Sequence, residues 1–338
     1  MLYCDWNTAS INLLKKGCLC TSQTADSPSR TVSVPLKDPS IMKVAIYSRG
    51  GQTIQQQDLL LVLEALKKAG IEAVVYKEIL EQFRDGILAA NHPLPPSFEG
   101  SQDLDDSFDA LFSLGGDGTL LDTVCLVRDS RIPVLGVNYG RLGFLASLGK
   151  EKIDEAVEAL QSRTYVSDKR GLLHLDASVP LFGNAPFALN EFVIHKREFS
   201  PMIKIHTYLN GEFLNTFWSD GLIVSTPTGS TGYSLSCNGP VVFPDSESFV
   251  ITPIAPHNLN IRPIVVPNHN VLSFEVEGRV DDFICTLDSR KELVEKNIQL
   301  AIRKEDFCFN LIRLNENNFL RTLREKLTWG FDTRNRNR

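Results

Sequence analysis

No CxxC pair, no block of basic residues and no apolar run of membrane-spanning length occurs in this chain of 338 residues. Each absence removes a class of protein. With no basic block and a net charge of −6, nucleic acid is not an expected partner. Without a long apolar run, no membrane helix is expected. The start lacks the charged-then-apolar order of a secretory signal, so the expectation is a soluble, cytoplasmic protein. Of the seven cysteines, Cys4, Cys18 and Cys20 lie near the start, while Cys125, Cys237, Cys285 and Cys308 are scattered. The scattered four read as reduced core thiols. Cys18-Leu19-Cys20 has no histidine or further cysteine beside it and does not read as a metal site. The six histidines are dispersed, and no metal cage built from side chains is expected.

The two best-known phosphate loops are missing as well. Gly116-Asp117-Gly118-Thr119-Leu120-Leu121 lacks the last glycine of a dinucleotide fingerprint. Gly149-Lys150 is followed by Glu151, and Phe144 stands where a Walker loop needs glycine. Any nucleotide kinase written here is not of the P-loop kind.

What is present is ordinary globular material, 43% hydrophobic and 22% charged, long enough for two domains. Residues 1–41 are rich in Ser, Thr and Pro and show no sustained period. They read as a disordered leader, or as a stretch before a true start at Met42. Lys43 to Tyr47 then reads as a first strand. Leu59, Leu60, Leu63 and Leu66 make one helical face, with Gly70 as its stop. Ala73–Tyr76 is a second strand, 91–106 a proline-bearing acidic loop, and Ile132 to Val137 a buried strand. Ile153 to Leu160 is amphipathic. This alternation implies a parallel sheet with helices on its faces. Past about residue 164, short alternating segments take over, among them Leu172–Val179, Ile203–Leu209, Leu222–Val224, Val271–Val276 and Leu300–Ile302. The expected fold is α/β plus all-β: a Rossmann-like parallel-sheet domain over 42–148, then a β-sandwich domain over 149–316. A helix from Phe319 to Leu327, within 317–330, returns to the first domain.

Two stretches carry chemistry. An apolar strand ends in Gly115-Gly116-Asp117-Gly118-Thr119, and helical spacing resumes at Leu120. Glycines let the backbone approach a ligand, and free N–H groups at a helix start favour phosphate. The acid in the turn suits a base or a group that orients a nucleophile. A tight turn that merely contains an Asp has the same pattern. The following run, Asn138 to Leu145, is a second glycine-rich turn that on its own reads as a connector. In the β-rich half, eleven of the eighteen residues from Ser219 to Ser236 are Ser, Thr or Gly. Its hydroxyls and one aromatic ring can bond a base or sugar and stack on a purine. Asn190-Glu191 interrupts an apolar stretch, as the paired amide and carboxylate of a ribose site do. Alone, each of these is also a plain turn or loop.

Taken together, Gly115–Thr119, Asn138–Leu145, Asn190-Glu191, Asp220-Gly221, Thr226-Pro227-Thr228-Gly229-Ser230-Thr231 and Gly239-Pro240 closely resemble the NAD kinases, over about 42–330. The resemblance implies transfer of the γ-phosphoryl of ATP to the 2′-hydroxyl of the adenosine ribose of NAD. Asp117 would be the proton acceptor. Gly116, Gly118 and Thr119 would serve the phosphates, and Asn190 and Glu191 the nicotinamide ribose end, with Asp220 close by. Thr231, Gly232, Tyr233, Ser234, Leu235 and Ser236 would line the adenine side. By alignment of Leu287-Asp288-Ser289, Arg290 would reach the ligand. Residues 42–148 would then bind nucleotide and 149–316 NAD. Mg²⁺ or another divalent ion would arrive with ATP, held by phosphates and water, and the family's dimers and tetramers imply a homodimer or homotetramer.

The chain departs from the pattern at Cys237-Asn238, at Trp218, at Arg290 (where many members have Gln) and at Asp122. The last position is often basic, so weaker phosphate attraction is expected there. The GGDGT element alone is shared with diacylglycerol and sphingosine kinases, which leaves a lipid kinase as one alternative. A non-catalytic NAD(P) sensor is the other.

Overall fold

Alternation within β1 (Lys43–Tyr47) sends Val44 and Ile46 to one face of a sheet and Ala45 to the other. Both faces are covered, as a parallel sheet requires. The computed structural model describes residues 41–51, 53–140, 143–314 and 319–328. The leader expected over 1–41 lies outside them except for Ile41.

Helix α1 (Gln56–Lys68) buries Leu59, Val62, Leu63 and Leu66 on one stripe, each contributing about 1.5–3 kcal/mol. Gly70, at φ +68°, ends it as the sequence suggests. There follow β2 (Glu72–Tyr76), α2 (Lys77–Ala89), β3 (Ser97–Phe98), β4 (Ala110–Leu114), α3 (Asp117–Val127), β5 (Val134–Asn138), β6 (Leu148–Gly149) and α4 (Ile153–Ser162). Sequence reasoning passes over α2, whose buried residues are only Ile79 and Ile87 and which contains Gly86. The strands run parallel in the order β3-β2-β1-β4-β5. From β1 the chain moves outward to β2 on one side, and β4 lies on the other. The switch point of the sheet is therefore between β1 and β4, where α/β proteins bind ligands beyond the strands' carboxyl ends.

The second half contributes β7 (Val166–Ala177), β8 (Phe187–Ala188), β9 (Glu191–Lys196), β10 (Ile203–Leu209), β11 (Glu212–Ser219), β12 (Gly221–Ser225) and β13 (Ser248–Ile254). It continues with β14 (Ile264–Pro267), β15 (Leu272–Glu277), β16 (Asp282–Leu287), β17 (Arg290–Glu295) and β18 (Leu300–Arg313). A short helix, α5 (Tyr233–Ser236), sits between β12 and β13. Strand β18 pairs antiparallel with β7 and β15, and its far end joins the parallel sheet, Leu311 beside Val134. A separate antiparallel sheet runs β14-β13-β12-β9-β16-β17. The two sheets face each other across one core. Ile205, Phe217, Phe274 and Ile302 meet Phe192, Val224, Phe249 and Phe283, which makes the expected sandwich.

Helix α6 (Phe319–Leu327) closes the described chain, its Phe319 ring 5.4 Å from Phe243. Of the four scattered thiols only Cys285 is fully buried, and Cys308 is exposed. Apolar neighbours misled that expectation, because adjacent residues of a strand point to opposite faces. Among the described residues, no helix is long and apolar enough to cross a membrane.

Candidate active site

Strand β4 is buried throughout, and α3 begins at Asp117, directly after Gly115-Gly116. A carboxylate in a helix's first turn is favoured by the free N–H groups there. The Asp117 side chain nevertheless reaches across to the second glycine turn. Its Oδ2 accepts the Phe144 N–H at 2.8 Å, and its Oδ1 accepts those of Leu145 (3.1 Å) and Ala146 (2.9 Å). That turn is folded on itself: the Gly140 N–H donates to Asn138 Oδ1 at 2.7 Å, and the Gly143 N–H to the Ala146 carbonyl at 3.0 Å. A Cβ at Gly143 would run into the Asp117 carboxylate, so only glycine allows this approach. The run that reads as a connector in sequence is thus the holder of Asp117. Its Arg141 and Leu142 lie outside the described residues. Thr119 is buried, while Gly116 and Gly118 leave the helix start half-exposed.

Sequence reasoning missed Arg49, two residues beyond β1. Its Nε and Nη2 donate to the Asp122 carboxylate at 2.5 and 2.7 Å. The Tyr47 hydroxyl donates to the same carboxylate at 3.2 Å. Burial, and then the Asp122 charge, push the Tyr47 hydroxyl above its ordinary range. The acid at 122 is therefore matched by a cation from another loop, which a local reading of α3 does not reveal. The only signal was a basic residue in a glycine-bearing loop, Ser48-Arg49-Gly50-Gly51, after the first strand.

The second cluster forms where β9 and β12 pair, Glu191 opposite Ser225. Just past β16, Asp288 accepts the N–H groups of Leu189 (2.9 Å), Asn190 (2.8 Å) and Glu191 (3.1 Å). Thr226 closes the other side: its N–H donates to the Asn190 carbonyl (2.8 Å) and its hydroxyl to the Leu189 carbonyl (2.5 Å). With the backbone so occupied, Asn190 Oδ1 and Glu191 Oε2 are buried and have no hydrogen-bond partner among the described residues. Buried polar atoms left unpaired are costly and call for a ligand or a function. Burial, followed by the nearby Asp288 charge, pushes the Glu191 carboxyl up to about 8, with the Tyr233 N–H partly opposing.

The other expected residues surround this turn in different ways. The Thr231 hydroxyl donates to the Thr228 carbonyl (3.2 Å), and Gly232 backs onto the Glu191 carboxylate. The Tyr233 ring is exposed, Ser234 is buried against the Thr252 hydroxyl (2.9 Å), and Leu235 and Ser236 complete α5. Asp220 does not join them: it precedes β12 at the end away from Glu191, beside Lys196, with which it pairs at 3.2 Å. Arg290 donates to the carbonyls of Ala185 and Phe187, both at 2.5 Å, and so grips the strand that leads into Asn190. Trp218 stacks on His257 with ring centroids 4.5 Å apart. Among the described residues no bond joins Asp117 to Glu191. What links the two clusters is packing: Leu120, Val124 and Val127 of α3 share a core with Phe187 and Leu189.

An acid-bearing glycine turn at the switch point of a parallel sheet, beside a sandwich with unspent polar groups, defines a class of nucleotide-handling proteins. The chain matches the ATP-NAD kinase N-terminal domain over residues 89–165 and the ATP-NAD kinase C-terminal domain over residues 189–314. It is 50% identical to the NAD kinase of Cytophaga hutchinsonii over 260 residues, 76% of this chain and 89% of that one. With the NAD kinase of Flavobacterium psychrophilum the identity is 42% over 296 residues, 87% of this chain and all of that one. Among solved structures, yeast NADH kinase complexed with NADH shares the fold at a TM-score of 0.78 and 21% identity, covering 87% of this chain and 89% of that one. The NAD kinase from Archaeoglobus fulgidus in complex with ATP aligns at a TM-score of 0.65 and 25% identity, covering 85% and 99%. The chain belongs to the NAD kinase family.

Proposed function

We propose that the chain transfers the γ-phosphoryl of ATP to the 2′-hydroxyl of the adenosine ribose of NAD, giving NADP and ADP. The observation that carries this reading is the Asp117 carboxylate, fixed by three backbone amides in the first turn of α3. The 2′-oxygen attacks the γ-phosphorus, and the bond to the β–γ bridging oxygen breaks with ADP leaving. The hydroxyl proton passes to Asp117. Because phosphoryl transfer is loose, that proton leaves late, and the acid mainly orients the nucleophile.

The N–H groups at Gly116 and Gly118 favour phosphate, and Thr119, whose own N–H donates to the Gly116 carbonyl at 3.0 Å, closes the turn that presents them. Asn190 and Glu191 take the nicotinamide ribose with the polar atoms they have unspent, and Asp220, at the far end of β12, would meet a more distant part of the dinucleotide. The segment Thr231–Ser236 lines the adenine, with the exposed Tyr233 ring available for stacking. Arg290 serves the same site from behind, through the carbonyls it grips. Residues 42–148 handle phosphates and 149–316 the dinucleotide.

A divalent ion such as Mg²⁺ arriving with ATP would neutralise part of the triphosphate charge. Asp122 is engaged by Arg49 and Tyr47, and both oxygens of Asp117 accept backbone N–H groups. Among the described residues no three His, Cys, Asp or Glu cluster as a cage, so phosphates and water would supply most ligands. The reading extends to a cytoplasmic homodimer or homotetramer, on the resemblance to the family.

The test is NADP formation by the purified chain from NAD with Mg-ATP, and in parallel with polyphosphate as donor. Product phosphorylated at the 2′ position supports the reading. No NADP from either donor would sink it, with retained NAD binding then favouring a sensor and lipid phosphorylation a lipid kinase.

A further inference from the structure

The topology brings two loops to one place. Strands β1 and β4 are parallel neighbours at the switch point, so the segment after β1 and the turn after β4 leave the sheet side by side. The second is the Gly115–Asp117 turn. The first carries Arg49, whose nearest nitrogen, Nη1, stands 3.2 Å from where a Cβ on Gly118 would be. Gly118 and Asp122 are four residues apart on α3 and hence on one face. An arginine gripped by Asp122 is thereby laid over the bare backbone at residue 118.

The grip is side-on. Nε and Nη2 face Asp122, and the Nη1 amino group has no hydrogen-bond partner among the described residues. The Tyr47 hydroxyl on the same carboxylate fixes that carboxylate in turn. A guanidinium held in one plane, with N–H groups unspent, beside free amides at a helix start is suited to phosphate oxygens. The alternative is a plain ion pair. The Arg49 side chain is 44% exposed and that of Asp122 23%, and pairs so exposed contribute little to folding.

We infer that Arg49 is a further phosphate-binding residue of this site, with Asp122 and Tyr47 as its positioning residues. The inference rests on the reading of the site as a phosphoryl-transfer centre. Its chemistry, phosphate oxygens over the α3 start, fits either the triphosphate of the donor or the pyrophosphate of the dinucleotide.

The experiment uses the full chain and the variants Arg49→Ala, Arg49→Lys and Asp122→Asn. It measures kcat, KM for Mg-ATP, KM for NAD, thermal midpoint and calorimetric binding of each nucleotide. Arg49→Ala is expected to lower kcat/KM for one substrate by about 10- to 100-fold, the range of a charged hydrogen bond, with the midpoint unchanged. Lysine, which keeps the charge and loses the fork, should recover part of that loss. Asp122→Asn should show a smaller loss on the same substrate. A loss confined to ATP assigns the donor phosphates, and one confined to NAD assigns the pyrophosphate; either supports the inference. Unaltered kinetics and binding in Arg49→Ala overturn it. So does a fall in midpoint that accounts for the loss with no rescue by lysine. If the parent protein makes no NADP, the proposed activity fails on its own, while weaker nucleotide binding by Arg49→Ala still supports the role of Arg49.

Discussion

Asp117 and Asp288 use the same device in two regions of the molecule. Each carboxylate accepts three consecutive backbone amides, two on Oδ1 and one on Oδ2. Asp117 holds the second glycine turn, and Asp288 holds the Leu189-Asn190-Glu191 turn. What differs is setting. Both residues are partly exposed, but Asp117 stands at the mouth of the parallel sheet, whereas Asp288 follows a strand of the sandwich and the protein packed around its carboxylate pushes it above the usual range. The copy at the sheet mouth lies where α/β proteins bind ligands, so it can serve chemistry. The copy in the sandwich shapes its neighbours, and its charge reaches function through Glu191, whose carboxyl it helps to push up to about 8.

That contrast can be broken at either end. Placing a methyl at residue 143 should displace the Asp117 carboxylate, and misplacement on the scale of 1 Å costs about 10²-fold in rate. Gly143→Ala is therefore expected to lower kcat by about that factor while leaving NAD affinity nearly intact, as steady-state kinetics with calorimetry would show. Asp288→Asn should act the other way. An amide cannot accept on its NH₂ side, so one buried N–H loses its partner at a cost of about 1–3 kcal/mol. Denaturant melts should register this loss, with kcat of the folded fraction little changed.

The pH dependence sharpens the comparison. Hydroxyl donation favours the ionised form of Glu191, so KM for NAD should fall by a few fold as pH rises through about 8. Glu191→Gln should flatten that profile, and Asp288→Asn should move it to lower pH. A profile identical in all three proteins would remove Glu191 from the ribose site. For stability the sign is opposite. A carboxyl raised from its ordinary 4.5 contributes fully below that pH, and its contribution is lost as pH climbs through about 8. Thermal midpoints of Glu191→Gln should accordingly decline less over that window than those of the parent.

Much of the fold was legible because periodicity carried it. Lys43–Tyr47, Ile203–Leu209 and Phe319–Leu327 lie where the residue pattern puts them. The joining of β18 to β5 was not legible. Parallel pairing between Leu311 and Val134 leaves no mark on the period of either strand, and only Leu300–Ile302 of the fourteen-residue β18 shows clean alternation. At the site, residue types and order located both turns. Their partners came from far away in sequence: Phe144 to Ala146 for Asp117, Asp288 for Asn190-Glu191, Arg49 for Asp122. Such pairings depend on which loops the sheet order makes neighbours, and Arg49 was missed for that reason.

The central claim is that Asp117 acts on the reacting hydroxyl, and a single-turnover measurement addresses it most directly. Transfer of labelled phosphate from Mg-ATP to NAD would be followed in the parent and in Asp117→Asn, with NAD binding measured beside it. The account predicts near-parental NAD binding and phosphoryl transfer slowed by about 10²–10⁴-fold. Transfer at a parental rate by Asp117→Asn would contradict it.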